Sequence, residues 1–361
     1  MLHFIGIPSE APLHGGPNVA TDDGKPVSKP PASWPHQGRV EFRDVVMRYP
    51  RRGSTATTDS HRTKPALRHV SFACPAGKRT AIVGRTGAGK SSCLQALFRL
   101  TELEAGSVVI DGVDAANIGL ADLRGAMCII PQVGHITRRY CVPPHAKLTC
   151  DPCAIMQEPV LLTGTIRTNL CNGGSGGGDV SDADLWAALE RVGLKPFVAS
   201  KRLKLEYCIS EGGSNLSVGQ RQLLCLARAL LRHSKVLVMD EVRAIFHFDL
   251  HASRAHAATP LLCYLLQATA SCDTASDNMI QAAVRDAFQG CTIITIAHRL
   301  QTICDYDQVV VMEQGEVVEV GAPGALLDNA TGAFSAMVDS TGSASAGWLR
   351  ATIREHSCST A

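Results

Sequence analysis

The sequence predicts an α/β fold built on a mixed β-sheet, and three observations predict it. Residues 236–239 (VLVM) and 292–297 (TIITIA) carry apolar side chains on both faces, the mark of parallel strands covered from both sides. Stretches of strand character and of helical period alternate from residue 79 onward. Residues 309–312 and 316–320 flank Gln314-Gly315, a hairpin turn that adds an antiparallel pair. The composition agrees. Of 361 residues, 45% are apolar and 19% charged, enough to bury a core and too apolar for a disordered chain. The 35 basic and 33 acidic residues leave +2, which argues against electrostatic capture of nucleic acid or anionic membrane. No run approaches the roughly 18 apolar residues of a spanning helix. The longest, 257–270, is broken by Pro260 and Gln267. The start lacks a signal peptide, so a soluble, intracellular chain with its 14 cysteines reduced is expected.

The elements follow in order. Residues 1–38 are rich in Pro, Gly, Ser and His without period and read as a linker. Residues 39–49 (RVEFRDVVMRY) alternate as a strand, and 51–64 are polar and read as a loop. Residues 67–72 and 79–83 are two more strands joined through Pro75-Ala76-Gly77. Residues 89–100 are helical, and 108–111 and 128–130 are short strands. Residues 181–192 open with Ser181 and Asp182 as caps and place Leu185, Trp186, Leu189 and Val192 on one face. Residues 217–231 place Leu223, Leu226, Ala227 and Leu230 at the i, i+3, i+4, i+7 spacing of a packed helix.

Chemistry enters at residues 84–91, GRTGAGKS, which fit G-x-x-x-x-G-K-[ST] between an apolar strand and a helix. Gly84, Gly87 and Gly89 let backbone N–H groups approach phosphates without a Cβ in the way. Lys90 brings an ammonium to the β- and γ-phosphates, Ser91 offers a hydroxyl to Mg²⁺, and Ser92 can bond a phosphate from the first helical turn. The candidate nucleotide-binding run is therefore Gly84, Arg85, Thr86, Gly87, Ala88, Gly89, Lys90, Ser91 and Ser92. Residues 236–241 are an apolar strand ending in two carboxylates. With a phosphate loop upstream, Asp240 would hold Mg²⁺ through water and Glu241 would orient or deprotonate an attacking water. The plain alternative is a strand end with two solvated acids. Between them, Leu216-Ser217-Val218-Gly219-Gln220 starts the helix at 217. It reads as an anion site at a helix N-terminus or as an N-cap alone.

Together these residues resemble the nucleotide-binding domain of ATP-binding-cassette (ABC) transporters, and more narrowly the second such domain of the multidrug-resistance-associated (C) subfamily. The resemblance runs from about Pro8 to Gly342. It includes IPSEAP at 7–12, the stretch 34–40, VVIDG at 108–112, LADLR at 120–124 and PVLLTGTIRTNL at 159–170. It implies a P-loop NTPase of the ABC-ATPase type, a mixed sheet with helices plus a helical signature subdomain. It implies linker 1–38, after a transmembrane domain outside this sequence, cassette 39–342, and C-terminal tail 343–361. By position, Tyr49 is similar to the aromatic that stacks on adenine, and Gln132 to the glutamine that contacts Mg²⁺ or water and senses the membrane domain. His298 is similar to the switch histidine on the γ-phosphate, and Asp273 to the aspartate that meets the partner domain. Ser217, Gly219 and Gln220 are similar to the residues that meet ATP held by the opposite cassette. ATP and Mg²⁺ are the implied ligands. The implied partners are a second nucleotide-binding domain and transmembrane domains, with no nucleic acid. The implied place is the cytoplasmic face of a membrane, held there through the transmembrane domain.

Two segments depart from that pattern. Residues 133–157 separate Gln132 from Glu158-Pro159-Val160, and residues 242–267 separate Glu241 from Ala268-Thr269-Ala270-Ser271. Both begin with Val and end with Gln, as an in-frame intron beginning GT and ending AG would if translated. Retained introns are therefore the expectation. Real loops are the alternative. The first would carry Cys141, His145, Cys150 and Cys153, whose only zinc-like spacing is Cys150-x-x-Cys153, with no second pair. Real insertions would cripple hydrolysis, because a catalytic base must be positioned to a fraction of an ångström. That leaves a nucleotide-binding regulatory module as the second functional reading.

Overall fold

The computed structural model describes residues 11–16, 27–31, 33–49, 64–131, 161–171, 180–232, 234–240, 284, 287–297 and 299–359. The elements in chain order begin with β1 (Val40–Met47), β2 (Leu67–Cys74), β3 (Arg79–Gly84), α1 (Lys90–Leu97), β4 (Ala105–Ile110), β5 (Val113–Asp114), α2 (Leu120–Ala126) and β6 (Met127–Pro131). There follow β7 (Gly164–Thr165), α3 (Ile166–Cys171), α4 (Asp182–Arg191), α5 (Lys195–Ser200), β8 (Cys208–Ile209), α6 (Val218–Leu231) and β9 (Val236–Asp240). The last are β10 (Thr292–Ile296), β11 (Gln308–Glu313), β12 (Glu316–Gly321), α7 (Pro323–Asp328), α8 (Ala333–Asp339) and α9 (Ser343–Ser359). They divide between two compact units. One comprises Met1–Ile129, Ser234–Glu241 and Gly290–Ala361, the other Ile130–His233 and Val242–Gln289.

The first unit holds the predicted mixed sheet, in the order β12-β11-β3-β10-β9-β6. β11, β3, β10 and β9 run parallel, and the Gln314-Gly315 hairpin returns β12 antiparallel along the edge. All five residues of β10 are buried, as a strand between two parallel neighbours requires. Ile296 pairs with both Ile82 and Asp240, so the carboxyl ends of β3, β10 and β9 lie side by side. In parallel sheets that end is where ligands bind. Ala81, Val83, Val309 and Val311 share a core with Phe334, Val338, Leu349 and Ile353 of the C-terminal helices. Within it, the Thr295 and Tyr306 hydroxyls bond each other at 2.7 Å, so neither is left unpaired in the apolar interior.

Three segments add detail that the sequence reading does not specify. The strands read at 39–49, 67–72 and 108–111 form a second, antiparallel sheet, β2-β1-β4-β5, with Phe42 and Phe72 stacked at 4.5 Å. The described part of linker 1–38 is laced to the unit by backbone bonds. Pro12 and Leu13 carbonyls accept from Leu120 and Ala121 at the start of α2, and Ser28 N–H donates to Asn117. Trp34 Nε1 donates to Ile110 O at 2.9 Å. The Asp111 carboxylate accepts the N–H groups of Gln37, Gly38 and Arg39. Finally, the tail 343–361 is helical through Ser359. Ala346, Leu349 and Ile353, spaced i, i+3, i+7, bury against the core cluster.

Among the described residues the second unit is helical, with a short β7-β8 pair. Ser181 caps α4 by accepting from Asp184 N–H, and Leu185, Leu189 and Val192 are buried. The predicted face of α6 (Leu223, Leu226, Ala227 and Leu230) is buried as well. Asn169 bonds both backbone groups of Leu162 and accepts from Arg228, so its buried amide has partners for both ends.

Candidate functional site

The turn between β3 and α1 is built to present backbone. Its apolar strand ends at Gly84, and α1 starts at Lys90 with Gly89 as N-cap at φ +100. No side chain caps that end, so the opening N–H groups of α1 are not consumed by a side-chain cap. A Cβ on Gly89 would stand 3.0 Å from Ala66 O and 3.2 Å from Leu67, which is why glycine is needed there. Beside Gly87, by contrast, no atom beyond its own chain neighbours lies within 4 Å of where a Cβ would be. An open side of this kind leaves the backbone accessible to an approaching phosphate oxygen.

Lys90 is 5% exposed, and its ammonium folds back into the loop, donating to Gly84 O at 2.7 Å and Arg85 O at 3.1 Å. A buried cation held by carbonyls at the foot of an N–H-lined loop is an electrostatic match for a polyphosphate. Ser91 is exposed in the same first turn and Ser92 is buried. The structure also brings Tyr49 to this place. Its hydroxyl lies 2.8 Å from Ser92 Oγ, while the residue as a whole stays 41% exposed. The ring thus stands beside the loop, tethered by its polar end. Arg85, Thr86 and Gly87 are exposed, and Ala88 is buried.

In the second unit, Ser217 is the N-cap of α6 and forms a complete capping box. Its Oγ accepts from Gln220 N–H at 3.1 Å, and its own N–H donates to Gln220 Oε1 at 3.0 Å. The capping box is thus present at the start of this run. Ser217 stays exposed, with Gly219 in the first turn. Asp240 is the last residue of β9, paired with Ile296. Gln132, Glu241, Asp273 and His298 lie outside the described residues, as do the segments 133–157 and 242–267. Sequence reasoning missed Gly315, whose N–H meets the loop at Ala88 O. The Gln-Gly pair announces a turn but not what the turn touches.

Residues 67–244 match the ABC transporter family. Over 94% of its length the chain is 37% identical to ATP-binding cassette sub-family C member 2 of Mus musculus. Over 87% it is 41% identical to sub-family C member 3 of Homo sapiens. It spans only 17% and 16% of those relatives. A bacterial Atm1-family ABC exporter solved with ATP bound aligns at TM-score 0.62 and 28% identity, covering 88% of this chain and 44% of that one. Residues 67–244 of this chain thus belong to the ABC transporter family.

Proposed function

We propose that the chain is the ATP-binding and ATP-hydrolysing motor domain of an ABC-type transmembrane exporter, working head to tail with a second cassette. The observation that carries this is the loop at residues 84–92. Its open backbone, its buried Lys90 ammonium and the adjacent Tyr49 fit an adenine nucleotide's phosphates and base. In this reading the loop N–H groups and Lys90 neutralise the β- and γ-phosphates, Ser92 bonds a phosphate, and the Tyr49 ring stacks on adenine. Ser91, Gln132 and Asp240 would hold Mg²⁺, which neutralises charge that develops on the phosphate oxygens. Glu241 orients or deprotonates the attacking water, and His298 meets the γ-phosphate. Ser217, Gly219, Gln220 and Asp273 serve the nucleotide or domain on the opposite cassette. Because the site is shared, one chain alone should hydrolyse slowly. Among the described residues no helix is long and apolar enough to cross a membrane. In this reading the chain is held at the cytoplasmic face of a membrane through transmembrane domains of the exporter.

A second reading is favoured by the segments 133–157 and 242–267, which follow the proposed Gln132 and Glu241 directly in sequence. It is a regulatory module that binds ATP and turns it over poorly. Steady-state hydrolysis by the chain, by Glu241→Gln and by a variant lacking both segments separates the two. The motor reading expects turnover that rises on deletion and stops in Glu241→Gln. Binding with no turnover in any of the three supports the regulatory module. Sequencing mature transcripts across both junctions shows which chain the cell makes.

A further inference from the structure

The hairpin between β11 and β12 does more than reverse the chain. Its tip, Gly315, donates its N–H to Ala88 O at 3.0 Å, and its own carbonyl accepts from Arg68 N–H at 2.7 Å. The tip is therefore pinned between β2 and the loop at residues 84–92. Gly315 sits at φ +87, and a Cβ there would stand 2.7 Å from Ala66 O. The strand leading to the tip reinforces the contact. Met312 pairs with Gly84, and its sulfur lies 3.5 Å from Cys93 Sγ on α1.

The consequence follows from peptide geometry. The unit joining Ala88 to Gly89 is planar and trans, so its C=O and N–H point in opposite directions. Holding Ala88 O on the hairpin aims the Gly89 N–H away from it. In a loop that binds anions through successive N–H groups, that direction decides whether the amide donates to a phosphate. We infer that Gly315 is a positioning residue for the nucleotide, setting the Ala88–Gly89 peptide in its phosphate-binding orientation from the far end of the chain. The inference rests on the reading that residues 84–92 bind ATP.

The test is the ATP dissociation constant of the full chain, with Mg²⁺, by calorimetric titration for wild type, Gly315→Ala and Gly112→Ala. Gly112 sits at φ +82 with nothing within 4 Å, so the control carries the same backbone strain without the collision or the loop contact. Melting temperatures establish that each variant is folded. Gly315→Ala should bind ATP about tenfold or more weakly than Gly112→Ala, the scale of one hydrogen bond to a charged group. Failure of the wild type to bind ATP would overturn the underlying reading. Binding by wild type with equal constants in the two variants would overturn this inference alone. A second measurement needs no substitution. Coupling is reciprocal, so ATP must slow amide exchange at Gly315 in the wild-type chain. Unchanged protection there would also overturn it, whether or not Gly315→Ala folds.

Discussion

Asp111→Ala should destabilise the first unit by about 3 kcal/mol. The Asp111 side chain is 1% exposed and serves as a fastening for residues 37–39. Its Oδ2 accepts from Gln37 and Gly38 N–H, both at 2.9 Å, and its Oδ1 from Arg39 N–H at 2.8 Å. A hydrogen bond to a charged acceptor contributes about 1.5–3 kcal/mol. The Gly38 bond is part-buried and takes that value. The Gln37 and Arg39 donors are exposed, so water replaces much of what they lose, leaving about 0.5 kcal/mol each. For a unit of about 200 residues, 3 kcal/mol lowers the melting temperature by roughly 6–12 °C. Burial alone would raise this carboxyl's pKa. The N–H bonds from Gly38, Gln37 and Arg39, with His36 nearby, outweigh burial and hold it below the usual range. A group with a depressed folded pKa stabilises above its unfolded value, about 3.9, and loses that contribution as pH falls through the folded value. The gap between wild type and Asp111→Ala, followed by circular dichroism, should therefore be full at pH 7 and narrow below about pH 4. A variant melting within 2 °C of wild type at pH 7 would refute the fastening. A gap that stays constant down to pH 3 would refute the electrostatic part.

Two further perturbations bear on other elements. Ser217→Ala removes the capping box of α6 and should cost about 1 kcal/mol in urea denaturation, with Ser217→Asp restoring most of it. An unchanged urea midpoint in Ser217→Ala would show that the cap contributes nothing to the fold. Leu349→Ala empties a fully buried position where α9 meets the sheet core and should cost about 2–5 kcal/mol. A loss under 0.5 kcal/mol would mean that α9 is not part of that core in solution.

Much of the fold was legible because its signals are local. The runs at 236–239 and 292–297 became β9 and β10 because strands with neighbours on both sides must be apolar on both faces. Ser181 and Ser217 marked their helix starts because each carries the capping oxygen itself. What escaped is non-local. That β1 and β4 leave the main sheet for a second one depends on which strands pair, which no run of residues states. The linker looked irregular because backbone groups, such as the Pro12 and Leu13 carbonyls, make its bonds to α2, and those groups are the same in every sequence. The tail helix is a different case. Its signal is local, since Ala346, Leu349 and Ile353 stand at i, i+3, i+7 within a 17-residue helix. At the candidate site the loop glycines and Lys90 were readable from the motif. The Tyr49–Ser92 bond and the Gly315 contact were not, since they join segments far apart in the chain.

The central claim is that residues 84–92 hold the phosphates of ATP, with the Lys90 ammonium as the charge that matters. Titrating ATP and Mg²⁺ into the wild-type chain and into Lys90→Ala tests it most directly. The Lys90 ammonium donates to the Gly84 and Arg85 carbonyls of its own loop, and alanine frees those carbonyls while removing the cation. The account predicts saturable binding by the wild type and loss of at least about tenfold in affinity, roughly 1.4 kcal/mol, in a Lys90→Ala chain that still melts cooperatively. Equal affinity in the two folded proteins would place the nucleotide elsewhere and contradict the account.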